Sequence, residues 1–172
     1  MKRKVITFLM IVICFLIQST ILNHFRLGFI KPNLLLVVVS SLGFIRGRKT
    51  GLWVGLVCGL FADVFWGNLL GFYTLIYVVI GYVNGMFRRL FYDEDIKLPL
   101  ALVAMSEFLY GVIVYVCMFM LKGEFEFTYY LFNIILPELI YTVLATLIMY
   151  QIILRINRKL EEEEQRSASR FV

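Results

Sequence analysis

Six apolar stretches, separated by short polar or charged turns, constrain this chain more than any other feature of its sequence. They run from Val5 to Leu22, Leu34 to Ile45, Gly51 to Trp66, Leu69 to Phe87, Leu98 to Leu121 and Leu131 to Leu154. A hydrocarbon core of about 30 Å takes about 20 helical residues at about 1.5 Å each. The first, fourth, fifth and sixth stretches reach that length; the second and third are short. Composition points the same way. Of the 172 residues 61% are hydrophobic and 17% charged, whereas a soluble domain carries about 25% charge. The expectation is one all-α integral membrane domain.

Six transmembrane helices are expected at about 5–22, 32–46, 50–66, 69–87, 98–121 and 133–154, forming a domain over 1–155 with a charged tail over 156–172. Pro32 would sit in the first turn of the second helix, where a missing N–H costs nothing, and Arg46 would snorkel at its other end. A pair of re-entrant half-helices is the competing arrangement for the second and third stretches. Flanking charge favours six crossings. With the N-terminus in the cytoplasm, the inner segments hold Lys2, Arg3 and Lys4; Arg46, Arg48 and Lys49; Arg88, Arg89 and Lys97; and Arg155, Arg158, Lys159, Arg166 and Arg170. Only Arg26, Lys31 and Lys122 remain outside, so the positive-inside rule holds at every turn, with both termini cytoplasmic. Re-entrant segments would leave Arg46, Arg48 and Lys49 on the outer side or within the membrane. The first span resembles a signal peptide, but Gln18 to Asn23 lacks a small-x-small cleavage site, so it is expected to be retained. The acidic run Glu161 to Glu164 is expected to be a solvated helix end.

Several chemistries are excluded. The formal charge of +5 is distributed at the ends of apolar runs, not along a basic stripe interleaved with aromatics, so nucleic acid is not an expected partner. Cys14, Cys58 and Cys117 lie inside apolar runs without C-x-x-C spacing and read as small hydrophobes. His24, the one histidine, falls in a short outer loop without visible ligand or catalytic partners. No phosphate-binding loop, nucleophile elbow or Cys/His cluster is present. No catalytic residue, metal or cofactor is expected.

The informative stretch is the third span. Gly51, Gly55 and Gly59 recur every four residues, with Asp63 one step further and Gly67 and Gly71 in the exit. Four residues turn a helix by about 400°, so the row drifts only about 40° per step and forms one slanting seam. Glycines along such a seam let a second backbone approach closely, the device by which helices associate in lipid. That second backbone is either a partner helix or the fourth span, which carries Gly81 and Gly85 with Asn84 between them.

Intramembrane polar groups are few: Gln18, Asn33, Asp63, Asn84, Glu107 and Glu138. A carboxylate in hydrocarbon faces protein, water or a cation. Asp63 either caps its own exit turn before Gly67 and Asn68, or accepts hydrogen bonds from backbone N–H groups or a basic side chain such as Arg26 or Lys31. The spread of the three acids argues against one acid/base pair. Glu138 follows Pro137, which marks either the start of the last helix or a kink. Most tyrosines lie near span ends, as aromatic belts do.

These residues together resemble a known family. Gln18 and Ser19 late in the first span, Pro32-Asn33-Leu34-Leu35-Leu36 opening the second, and the Gly51, Gly55, Gly59, Leu60, Asp63, Gly67, Gly71 series are similar to the rod shape-determining protein MreD. The likeness covers most of the chain. The family often has Asp after that proline, where this sequence has Asn33, a departure that weakens any claim that a carboxylate there is functionally required. The resemblance implies a non-enzymatic membrane subunit of the bacterial elongation machinery in the cytoplasmic membrane. It implies partnership with the MreC scaffold, the MreB filament, and the RodA glycosyltransferase with its penicillin-binding transpeptidase partner. It also implies a six-helix fold similar to the substrate-binding subunits of energy-coupling-factor transporters. That supplies a rival function, a solute-binding transport subunit, because fold does not fix function. A lipid-handling protein with the acids facing a lateral opening is a third class. The exposed inner basic residues Arg46, Arg48, Lys49, Arg88 and Arg89 serve as topology determinants, contacts to the lipid bilayer, or a route to MreB.

Overall fold

Residues 2–21, 32–67, 70–90, 96–118 and 126–169 are described by the computed structural model, and among them the chain forms six helices and no strand. Helix α1 is Lys2–Leu16, continued by a π-helical turn, Ile17–Ile21. Helices α2 (Leu34–Arg46) and α3 (Arg48–Trp66) are separated by Gly47 alone. That glycine sits at φ +92°, a left-handed value that other residues rarely adopt. Helix α4 is Phe72–Met86, tightening into a 3-10 turn at Phe87–Leu90, and α5 is Lys97–Met118. Helix α6 opens at Phe127–Tyr130, widens through a π-helical turn at Leu131–Ile135 and continues as Leu136–Ser169. His24, Arg26, Lys31, Asn68 and Lys122, which entered the loop expectations, lie outside the described residues.

Helix α2 organises the bundle. Every residue from Leu34 to Ile45 is buried, as expected of a helix that is apolar all round. The other five helices pack around it, and α3 and α4 make the most extensive pairing in the fold. Its 13 residues span about 20 Å at 1.5 Å each, less than a full hydrocarbon thickness. Pro32 precedes the N-cap Asn33 and therefore stands outside the first turn.

Four helical stretches are long and apolar enough to cross a membrane: Arg3–Thr20, Arg48–Trp66, Lys97–Met118 and Phe127–Gln165. The last has 39 residues, about 58 Å of helix at 1.5 Å per residue, more than a bilayer requires. Pro137 lies inside this helix and does not start it. The proline has no N–H to offer the carbonyl one turn earlier, and the π-helical turn Leu131–Ile135 falls on that side of it. At the other end, Asn157 and Leu160 are buried, and Arg3 reaches Glu164 at 3.0 Å and Glu161 at 3.4 Å. The start of the acidic run is therefore attached to α1 and is not a free helix end.

Candidate functional site

The glycine row of α3 lies against the backbone of α4. A Cβ on Gly51 would overlap the Gly81 carbonyl oxygen, and one on Gly81 would overlap that of Gly51. At Gly55 a Cβ would come within 2.5 Å of the Tyr77 carbonyl oxygen, and at Gly59 it would run into the Thr74 Cα. Gly85 faces the Arg48 backbone in the same way, and a Cβ on Gly43 of α2 would come within 2.7 Å of the Gly81 carbonyl oxygen. Three helices thus converge on Gly81, where α3 meets α4 backbone to backbone and α2 adds Gly43 and the Val39 side chain. Such contact maximises dispersion where lipid supplies no hydrophobic drive.

Asp63 closes the far end of this pairing. Its side chain is 2% exposed. Oδ1 accepts the Tyr73 N–H at 2.8 Å; Oδ2 accepts the N–H groups of Gly71 at 2.9 Å and Thr74 at 3.0 Å, and the Thr74 hydroxyl at 2.5 Å. These are the first-turn donors of α4, which have no partner within their own helix. One residue on α3 therefore caps the next helix, and a negative group stands at the positive end of the α4 dipole. Gly71 turns the chain into α4 at φ +98°, and Gly67 ends α3 with its N–H on the Asp63 carbonyl at 3.1 Å.

Polar ties also hold both ends of α2. Asn33 caps it, its Oδ1 accepting the Leu36 N–H at 3.2 Å and the Tyr77 hydroxyl at 2.8 Å. The Asn33 N–H donates to the Thr142 hydroxyl of α6 at 3.1 Å, and the Leu35 N–H donates to Gln18 Oε1 of α1 at 3.0 Å. At the opposite end, Arg46 donates through Nε to Asn157 Oδ1 and through Nη1 to the Thr7 hydroxyl, both at 2.6 Å. In the interior, Asn84 donates to the Ser106 hydroxyl of α5 at 2.8 Å. Apart from the Asn33–Leu36 cap, each of these bonds joins two helices, so the polar groups act as connectors.

Glu107 differs. It is 2% exposed, and neither carboxyl oxygen meets a donor at good hydrogen-bond geometry; the Thr142 hydroxyl faces it, and it lies in the electrostatic field of Glu138. Sequence spacing suggested three scattered acids. The fold sets Asp63 apart at the α3–α4 turn but brings Glu107 and Glu138 toward each other between α5 and α6, because α5 and α6 pack side by side. Among the basic residues, Arg48 stacks over the Tyr82 ring at 5.9 Å, Arg88 donates to the Arg46 carbonyl at 3.1 Å, and Lys49 and Arg89 are exposed.

The sequence did not single out Tyr73, Thr74, Tyr77, Ser106, Thr142 or Asn157, the partners of these connectors. Only Thr74 carried a usable signal: a Thr in the first turn of a span that follows Gly71. The arrangement can hold helices in register.

A family model described as rod shape-determining protein MreD matches residues 2–160. No curated protein and no solved structure matches the chain. Together with the four apolar helices, the family match makes this an integral membrane protein with a role in determining rod shape.

Proposed function

Because the chain belongs to the rod shape-determining protein MreD family, we propose that it is a non-enzymatic membrane scaffold of the elongation complex. In this reading it binds the transmembrane helix of MreC and helps couple peptidoglycan synthesis, through RodA and its penicillin-binding transpeptidase partner, to MreB filaments. It crosses the cytoplasmic membrane six times with both termini inside, the arrangement that the placement of its basic residues favours.

The observation that carries the scaffold reading is the use of the intramembrane polar groups. Gln18, Asn33, Asp63 and Asn84 each tie one helix to another. A solute-binding subunit of the energy-coupling-factor type needs polar groups that converge on a ligand, and here four of the six intramembrane polar groups are already engaged with the fold. The glycine row is filled by α4, so MreC meets an outer apolar face of the bundle. Large apolar side chains such as Leu75 of α4, Met105 of α5 and Ile148 of α6 are exposed on the outside of the bundle.

Co-purification tests the reading. A stable complex with MreC and no retained small molecule is the expected result. A stoichiometric vitamin-sized ligand in the purified chain, with no affinity for MreC, would overturn it in favour of a transport subunit.

A further inference from the structure

Helices α1 and α3 touch through rings at one end and part at the other. Phe15 contacts Phe61 at 5.1 Å and Trp66 at 5.3 Å between ring centres, while Phe8 reaches Phe61 at 6.4 Å. Beyond Phe8 the helices separate around a cavity of about 720 Å³. Its upper rim is basic, carrying Lys4 of α1, Arg46 at the end of α2, Lys49 of α3 and Arg88 after α4. Its lower wall is apolar, formed by Phe8, Trp53 and Val57.

Among the described residues the rim is net positive, with Arg3, Lys4, Arg46, Lys49 and Arg88 against the single lining carboxylate Glu164. Arg3, also at the rim, is paired with Glu161 and Glu164, but Lys4, Arg46, Lys49 and Arg88 have no carboxylate within 4.0 Å among the described residues. Arg46 is the built element. Its Nε and Nη1 are fixed by the neutral acceptors Asn157 and Thr7, so the guanidinium is held in place with no carboxylate bonded to it; Glu161 and Glu164 act on it only at longer range and are themselves paired with Arg3. A guanidinium so placed suits a phosphate.

We propose that this cavity binds one anionic phospholipid, its phosphate between Arg46 and Lys49 and an acyl chain along Phe8, Trp53 and Val57. Spacing favours a lipid over other anions. Trp53 lies one turn beyond Lys49 and Phe8 one turn beyond Lys4, which sets hydrocarbon about 6 Å below the charge. A free phosphate or an acidic peptide has nothing to place against that wall. Trp53 is 70% and Phe8 52% exposed, so the lower wall opens sideways, where the remaining chain would join bulk lipid. A lipid seated there would fill the gap between α1 and α3 and counter four clustered cations.

Native mass spectrometry of the full chain tests this, with dioleoylphosphatidylglycerol and dioleoylphosphatidylcholine as probes. The expected result is preferential retention of one phosphatidylglycerol. The double substitution Lys4→Gln and Lys49→Gln touches no inter-helix bond and should reduce that retention by about fivefold for each cation removed. Arg48→Gln with Arg89→Gln removes the same charge outside the cavity and should leave retention unchanged. Equal retention of phosphatidylcholine, or an equal loss in the control pair, would overturn the proposal. Displacement of the lipid by millimolar inorganic phosphate would also overturn it, showing a headgroup-only anion site. So would displacement by a polyglutamate peptide, which would assign the rim to an acidic protein segment.

Discussion

Helix α3 meets two of its neighbours by opposite means: it presents Gly51, Gly55 and Gly59 to α4 and Phe61, Phe65 and Trp66 to α1. On the α4 side the backbones touch, and the Asp63 carboxylate locks the register through four hydrogen bonds. On the α1 side rings hold the helices apart, and the separation widens into a basic cavity. The contrast teaches that residue size sets which interfaces are rigid. Glycine against backbone leaves no room for a rearranged packing, whereas rings at one end of a helix pair permit a gap at the other.

The contrast is broken most severely from the glycine side. Gly55→Leu forces a branched side chain into the Tyr77 carbonyl and should destabilise the bundle by about 3 kcal/mol, the upper part of the overpacking range. Thermal unfolding in detergent, followed by tryptophan fluorescence, would record it; an unshifted midpoint would mean that α4 does not occupy the seam. Asp63→Asn keeps the shape but removes the charge at the α4 N-terminus and turns an amide N–H₂ toward backbone N–H groups. It should cost about 2 kcal/mol, as charge–dipole pairs do when buried. A variant as stable as the parent would show that capping needs no charge.

Thr74→Val removes one of the four donors to Asp63 and should cost about 1 kcal/mol, the net worth of a typical hydrogen bond. The same unfolding assay resolves that loss from the Asp63 effect. On the aromatic side the expected change is smallest. Trp53 is 70% exposed, so Trp53→Ala should alter stability by less than about 0.5 kcal/mol. A loss comparable to that at Gly55 would erase the distinction between the two sides.

The sequence made part of this legible. Four-residue spacing from Gly51 to Asp63 marked a surface of close approach, because helical geometry alone puts those positions in one row. It left open whether a partner helix or the fourth span would fill that row, since spacing on one helix holds no information about its neighbour. The partners of Asp63 were hidden for a related reason: they are backbone donors of Gly71, Tyr73 and Thr74, and any residue there except proline has an N–H. Helix α2 was harder still. Its short apolar run read as a marginal crossing, but complete burial explains the length, since a helix sheathed by protein and tied at both ends by Gln18, Asn33 and Arg46 need not match the lipid by itself. The approach of Glu107 to Glu138 depends on α5 packing beside α6, which periodicity does not encode.

The glycine seam, the Asp63 cap and the basic cavity all rest on α3 and α4 forming a hairpin across the bilayer. Labelling from the two sides tests this most directly, in a chain with the exposed Cys117 replaced by serine. Leu70, which is 82% exposed beside the hairpin turn, and Arg48 at the start of α3 are each changed to cysteine. An impermeant maleimide should label the Leu70→Cys chain in intact cells and the Arg48→Cys chain only after permeabilisation. Labelling of both from the same side would contradict the crossing.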